Sequence, residues 1–278
     1  MIKTDEPLTK DLQEKLGRLE ENIRGLGSLA VGFSGGVDSS FLLYVAHEVL
    51  GDKAMAVICV DAAFPERELN EAKSFCEERG IRYVICKVDP MEEESFRRNS
   101  PERCYFCKRR IFTEIKKTAA DNGIAYTAEG SNVDDTGDYR PGLRAVAELE
   151  VKSPLRESGL YKADIRALSK AMGLPTWSKP AYACLATRFV YGEEITEKKL
   201  RMVEQAEQFL IERGFIEERV RVHGTMARIE VPAKYIMRLA EDSIREEVYR
   251  RFKEIGFEFV SLDMGGYRMG SMNSTIGK

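Results

Sequence analysis

At 278 residues the chain can bury a full core, and domains of about 100 to 200 residues predict one large domain plus a smaller one. Hydrophobic residues make up 43% and charged residues 32%, which excludes a disordered chain and leaves no need for a disulfide scaffold. A net charge of −3 excludes a global positive field that would draw the protein onto RNA, and without an apolar leader or a run near the roughly 18 apolar residues of a membrane span, a cytoplasmic location is expected.

In chain order, residues 28–33, 54–60, 82–88 and 125–128 are short apolar or β-branched runs ended by Gly, Asp or Pro, the signature of buried strands. Helical patterns at about 39–50, 67–79 and 102–122 alternate with them, the last two stopped by Gly80 and Gly123. This rhythm predicts an α/β fold with a parallel sheet covered on both faces. Another helix is expected over 162–172, followed by an irregular stretch to about residue 194. From Thr196 the order changes to a helix, strands at 219–222 and 227–231, helices through Phe252 and a last strand at 257–262. Residues 1–185 therefore read as a nucleotide-binding α/β domain and residues 186–278 as a smaller C-terminal α+β domain for substrate binding or oligomerisation.

The first strand runs through Ser34-Gly35-Gly36-Val37-Asp38-Ser39-Ser40 into an apolar helix. Such a turn gathers backbone N–H groups and the positive end of a helix dipole at one point, where an anion sits. Gly35 and Gly36 let phosphate approach the backbone, and the hydroxyls of Ser34, Ser39 and Ser40 add donors. The loop lacks both the lysine of a P-loop and the spacing of a dinucleotide fingerprint. Asp38 beside phosphates calls for a magnesium ion to neutralise the pair. The string resembles the SGGxDS loop of the PP-loop ATP pyrophosphatases, and that resemblance implies ATP and Mg2+ as ligands, with Asp61 and Ala62 bordering the adenine. After the fourth strand, Glu129-Gly130-Ser131-Asn132-Val133-Asp134-Asp135 falls on the sheet's carboxyl edge, so Gly130 and Asn132 are further nucleotide candidates.

Cys104 and Cys107 open a helix at a spacing that lets two thiolates face one metal, and Cys184 stands in the irregular stretch. Cys59, Cys76 and Cys86 lie within strand or helix patterns and read as small core hydrophobes. Three cysteines are compatible with a zinc site, although no fourth ligand stands at finger spacing, with a redox pair at Cys104 and Cys107, or with a [4Fe–4S] cluster that keeps one iron open. Arg188, Arg219, Arg221 and Arg228 are candidates for an anion site, with Glu230 orienting them or binding a metal. The alternative places Arg219 and Arg221 on the solvent face of an amphipathic strand. Glu207 reads as solvated surface.

The segments SGGVDSS (34–40), CYFCK (104–108), EGSNVDD (129–135), KPAYACLATRF (179–189) and RVRVHGTMARIEV (219–231) together resemble the LarE family, sulfur transferases that serve the nickel-pincer cofactor of lactate racemase. The resemblance implies adenylylation of a carboxylate of pyridinium-3,5-dicarboxylic acid mononucleotide by ATP, then displacement of AMP by sulfur to give a thiocarboxylate. Some members consume a cysteine matching Cys184 as the donor. The added Cys104 and Cys107 resemble the cluster-containing members and point instead to a [4Fe–4S] cluster held by Cys104, Cys107 and Cys184. Catalytic roles then fall to Asp38 and Cys184, and the expected partners are the small-molecule mononucleotide, a sulfide source and further copies of the chain in a homo-oligomer, with neither membrane nor nucleic acid. Rival readings are a tRNA thiolase of the same superfamily and an NAD synthetase relative with no use for the cysteines.

Overall fold

The computed structural model describes Ile2 and residues 4–137, 141–180 and 183–268. Along the chain come α1 (Lys10–Leu26), β1 (Leu29–Gly32), α2 (Val37–Leu50), β2 (Ala54–Val60), α3 (Glu66–Glu78), β3 (Tyr83–Lys87), α4 (Glu94–Arg97), α5 (Arg103–Asp121), β4 (Tyr126–Ala128), α6 (Pro141–Glu148), α7 (Pro154–Glu157) and α8 (Lys162–Ala171). They are followed by α9 (Glu197–Glu212), β5 (Arg219–His223), β6 (Met226–Glu230), α10 (Ala233–Ala240), α11 (Asp242–Ile255) and β7 (Phe259–Leu262). The chain divides into two compact units, one made of Met1–Asp89 with Cys104–Tyr182, the other of Pro90–Arg103 with Ala183–Lys278. Where the sequence sets a single break after residue 185, the folded chain lends the short segment Pro90–Arg103 to the C-terminal unit.

The first unit is the α/β fold that the alternation predicts. Its sheet is parallel, in the order β3-β2-β1-β4. The chain walks outward from β1 through β2 to β3, then jumps back across β1 to place β4. That reversal opens a crevice at the carboxyl end of β1, the place where open α/β sheets bind ligands. One face of the sheet is covered by α1, α2, α3 and α8 through Leu16, Leu19, Ile23, Phe41, Leu42, Ala72, Phe75 and Leu168. The other is covered by α5 through Phe112, Ile115 and Ala119. Helix α2 buries Val37 and Ser39 to Leu43 with Val45 and Ala46, an all-round burial that explains why its sequence is apolar on every side.

Helix α1 is absent from the strand-and-helix rhythm read above. Its signals are local: the Thr9 side chain accepts from Leu12 N–H at the N-cap, and Leu16, Leu19 and Ile23 form the buried stripe at helical spacing.

In the second unit β5 and β6 form an antiparallel hairpin, and β7 lies parallel to β6 after the crossover through α10 and α11 that a parallel pair requires. Pro90–Arg103 is bound into this unit by Asn99. Its side-chain amide donates to the carbonyls of Phe189 (3.2 Å) and Val190 (2.6 Å), while its carbonyl oxygen accepts from Arg103. Asn99 is fully buried and left-handed at φ 49°, a conformation that asparagine tolerates better than most residues. Asn99→Ala strips these bonds and strains the backbone, so a loss of about 2–4 kcal/mol is expected. Denaturant unfolding followed by a probe in the C-terminal unit checks it.

Candidate functional site

The Ser34–Ser39 turn is held from within. Ser39 Oγ lies 3.2 Å from Ser34 Oγ and donates to the Gly36 carbonyl at 3.2 Å, which fixes the hydroxyls at the mouth of the crevice. Gly35 has φ 70°, a conformation that side chains disfavour, and it rests on Ala72 of α3. No side chain caps α2, so its first-turn N–H groups remain for an anion. Gly130 closes the other side: a Cβ there would stand 3.0 Å from Ser39 N and 3.3 Å from Asp38 C. The sequence offers Gly130 as a nucleotide contact, and the structure gives it a packing reason, because only glycine lets the segment after β4 lie against the α2 turn.

Asp38 carries the local charge problem. Burial pushes its carboxyl above the usual carboxylate range, Lys162 opposes that shift, Asp135 adds to it and the Asn132 amide weakly favours the anion. Lys162 Nζ donates to Asp38 Oδ2 at 2.5 Å, whereas Asp38 Oδ1 is buried without a hydrogen bond. A buried oxygen that lacks a partner beside a phosphate-binding turn suits a hard divalent cation, so the residue present fits magnesium. Lys162 also donates its backbone N–H to Asp134 at 2.8 Å and thereby clamps the turn after β4 to that before α2. Within the turn, Asn132 Oδ1 accepts from Asp134 N–H and Asn132 N–H donates to Asp135, both at 2.9 Å.

A second lysine reaches the loop: Lys179 Nζ donates to the Gly35 carbonyl at 3.1 Å and to Glu68 and Glu71 at 2.6 Å. Sequence reasoning gave neither lysine a role, since nothing in the spacing of Lys162 from Asp38, or of Lys179 from Gly35, announces a contact. Asp61 and Ala62 fall on the same carboxyl edge, at the end of β2. There Asp61 Oδ1 accepts from Ala63 N–H at 2.6 Å, and burial raises its pKa, partly offset by bonds from Ala63 and Phe64 and reinforced by Asp89.

Cys104 and Cys107 occupy the first turns of α5, the former exposed and the latter half-buried. Lys108, next along, pairs with the buried Glu129 at 3.5 Å. Glu129 in turn accepts from Ser131 (2.6 Å) and Ser153 (2.8 Å). Gly142 makes room for this lysine, for a Cβ there would meet Lys108 Cδ at 2.7 Å. The cysteine helix is thus tied to the residue that precedes Gly130.

In the second unit Cys184 is exposed on a loop fixed by Arg188; Ala181 and Tyr182 of the same motif lie outside the described residues. The Cys184 carbonyl accepts from Thr187 N–H (2.9 Å) and Oγ1 (2.8 Å). Arg188 is 1% exposed. It forks onto both oxygens of Glu207 at 2.8 Å and donates to the Ala183 carbonyl at 2.8 Å. Burial alone would lower its pKa, but the Glu207 carboxylate outweighs that and the net shift is upward. Glu207, expected on the solvated surface, is buried because it neutralises this guanidinium and accepts Val220 N–H at 2.8 Å. Arg219 and Arg221 are buried as well, against the solvent-face alternative. Arg221 donates to Glu230 Oε2 at 2.9 and 3.1 Å. Arg228 donates to Glu230 Oε1 at 2.8 Å, lies 3.5 Å from Asp263 and keeps Nε without a partner. In this arrangement Arg188 anchors the Cys184 loop rather than facing an open anion site.

Within either unit, no group of three or more His, Cys, Asp or Glu side chains converges as a metal site among the described residues. No helix among them is long and apolar enough to cross a membrane.

A family model described as NAD synthase matches residues 12–119. The chain is 37% identical over 267 residues to an uncharacterised protein of Synechocystis sp., covering 96% of this chain and 100% of that one. It is 35% identical over 269 residues to the pyridinium-3,5-bisthiocarboxylic acid mononucleotide synthase of Lactiplantibacillus plantarum, covering 96% of each. Over 210 residues it is 30% identical to a subunit of the glutamine-hydrolysing GMP synthase of Thermoplasma volcanium, covering 68% of this chain and 65% of that protein.

Two substitutions separate site geometry from scaffold. Gly130→Ala forces a Cβ against backbone that cannot yield, and a loss of about 1–3 kcal/mol with weakened ATP binding is expected; thermal unfolding with and without MgATP reads both. Arg188→Met leaves Glu207 as a buried unpaired charge, so destabilisation of about 3–5 kcal/mol is expected, with much of it recovered in the double variant Arg188→Met/Glu207→Leu by chemical denaturation.

Proposed function

The chain belongs to the LarE family of PP-loop ATP-dependent sulfur transferases, and from that premise we propose that it converts a carboxylate of pyridinium-3,5-dicarboxylic acid mononucleotide into a thiocarboxylate. The observation that carries this reading is the uncapped start of α2, with Asp38 Oδ1 buried and unsatisfied beside it: a phosphate-binding turn that asks for a cation as well as an anion.

ATP is expected to seat its phosphates on the N–H groups of α2 with the Ser34, Ser39 and Ser40 hydroxyls, its adenine lying toward Asp61 and Ala62, and Gly130 and Asn132 lining the far wall. Asp38 would hold the magnesium ion, which when bound offsets phosphate charge. Lys162 and Lys179, now held on carboxylates, stand near enough to the loop to meet the departing pyrophosphate. A substrate carboxylate oxygen attacks the α-phosphorus, the bond to the β-phosphate oxygen breaks and pyrophosphate leaves, giving an acyl-adenylate. Sulfide sulfur then attacks the activated carbonyl carbon and AMP departs with the bonding electrons.

Arg228, with its unpartnered Nε and held by Glu230, is the first candidate for the substrate phosphate, beside Arg219 and Arg221. A [4Fe–4S] cluster held by Cys104, Cys107 and Cys184 is the proposed sulfide carrier, a reading supported by the three thiols being neither disulfide-bonded nor fully buried. When bound, such a cluster supplies a vacant iron corner for sulfide.

Anaerobically purified protein, given ATP, magnesium, the mononucleotide and sulfide, is expected to release pyrophosphate and AMP and to yield a product in which sulfur replaces oxygen by mass. In Cys184→Ala, pyrophosphate release is expected to persist while thiocarboxylate formation stops. Absence of mononucleotide-dependent pyrophosphate would overturn the activity. Multiple turnovers by iron-free protein would overturn the cluster, and a single turnover ending with dehydroalanine at position 184 would make Cys184 the consumed donor.

A further inference from the structure

Two cysteines that the reaction does not use face each other on adjacent strands of the sheet. Cys59 of β2 and Cys86 of β3 are register partners in a parallel pair. Residues of one strand alternate between faces, and Met55, Val57, Cys59, Val84 and Cys86 all join the cluster under α5, so both thiols project to the same side. Neighbouring strands lie about 4.7–4.9 Å apart, inside the roughly 4.4–6.8 Å that a disulfide spans between Cα atoms. Cys76, the other buried cysteine, belongs to the cluster on the opposite face and cannot compete for either partner.

We propose that Cys59 and Cys86 are a reversible disulfide site, closing across β2 and β3 when the protein meets a low-molecular-mass disulfide. Cys59 Sγ points to the Ile111 carbonyl of α5 at 4.0 Å, the same helix that covers Cys86. The neighbouring Cys59 lowers the pKa of Cys86, whereas Cys59 is pushed well above the ordinary thiol range by Cys86 beside it and by burial. Cys86 is therefore the attacking sulfur. Its thiolate attacks the reagent's S–S bond and releases one reagent thiolate, leaving a mixed disulfide. Cys59 sulfur then attacks Cys86 sulfur and displaces the second reagent thiolate. The protein loses two electrons and two protons, which convert one reagent disulfide into two thiols.

The position gives the bond a consequence. Cys59 precedes Asp61 by two residues and Cys86 precedes Asp89 by three, so closure staples together the two strand ends that carry these carboxylates at the carboxyl edge. Strand β3 is an edge strand of the sheet, paired with β2.

Full-length protein is incubated with an oxidised small dithiol, unfolded in denaturant with an alkylating agent, digested without reductant and analysed by mass spectrometry. The expected product is a peptide of residues 54–67 joined to residues 83–87, lighter by two hydrogens, which a reducing dithiol reverses. The linkage is expected to vanish in Cys59→Ser and in Cys86→Ser and to persist in Cys76→Ser. Alkylation of both Cys59 and Cys86 after oxidation overturns the proposal, as does linkage of Cys86 to any other cysteine.

Discussion

A carboxylate at the positive end of a helix is ordinarily favourable, but Asp38 sits at the turn proposed to take ATP's phosphates, half sealed from water, where it would repel the ligand that its own helix attracts. The surroundings of the crevice answer this conflict. Gly130 brings the turn after β4 into backbone contact with Ser39, which buries Asp38 and raises its pKa, and that same turn supplies Asp134 to position Lys162. The lysine then meets the carboxylate that the turn has buried. A cation is thus built into the resting site, and Lys179 repeats the device on the other side of the glycine loop. Charges held on carboxylates near a phosphate turn can be transferred to a phosphate without being drawn from water, which favours a transition state richer in negative charge than the ground state.

The second unit solves the converse problem, with guanidinium groups buried in place of a carboxylate. Arg188 with Glu207, and Arg221 with Arg228 on Glu230, are closed by bidentate or shared hydrogen bonds. Such pairs contribute little net stability against an apolar core, yet losing one member is destructive. Geometry is what they supply. Arg188 ties the backbone at Ala183 to α9, and Glu207 ties α9 to β5 through Val220, so the exposed thiol of Cys184 rides on a loop whose backbone is fixed.

Local grammar made much of this legible. The strands β1 to β4 follow from apolar runs ended by Gly, Asp or Pro, and the phosphate turn from two glycines between a strand and a helix. Helix α1 escaped because its buried stripe is thin among charges, and its N-cap, Thr9, is a signal that counts only once a helix is suspected. The lysines escaped for a stronger reason. Lys162 and Lys179 are ordinary surface residues by type and neighbourhood, and only the return of α8 and its following loop to the β1–β4 crevice gives them partners. Glu207 was expected on the surface because charge suggests solvent, and Arg188 in an anion site because arginine suits phosphate, whereas two opposite charges that find each other can be buried together. No pattern within either segment reveals that pairing.

The cysteines show where residue type alone misleads in both directions. All six are thiols, but Cys104 and Cys184 are exposed and Cys107 half-buried, while Cys76 and Cys86 are buried. Burial separates the cysteines proposed to ligate or transfer sulfur, which must meet a substrate, from those that fill space. Cys59 and Cys86 break this division. They lie under the same helix that carries Cys104 and Cys107, Cys59 Sγ reaching the Ile111 carbonyl at 4.0 Å, and they meet in register rather than packing against aliphatic neighbours alone. A core needs no such pair, since two valines would fill β2 and β3 equally well, as Val57 and Val84 do one step earlier on the same face. Thiols at that step therefore add redox chemistry to a position where packing asks only for volume, at the edge of the sheet from which Asp61 and Asp89 emerge.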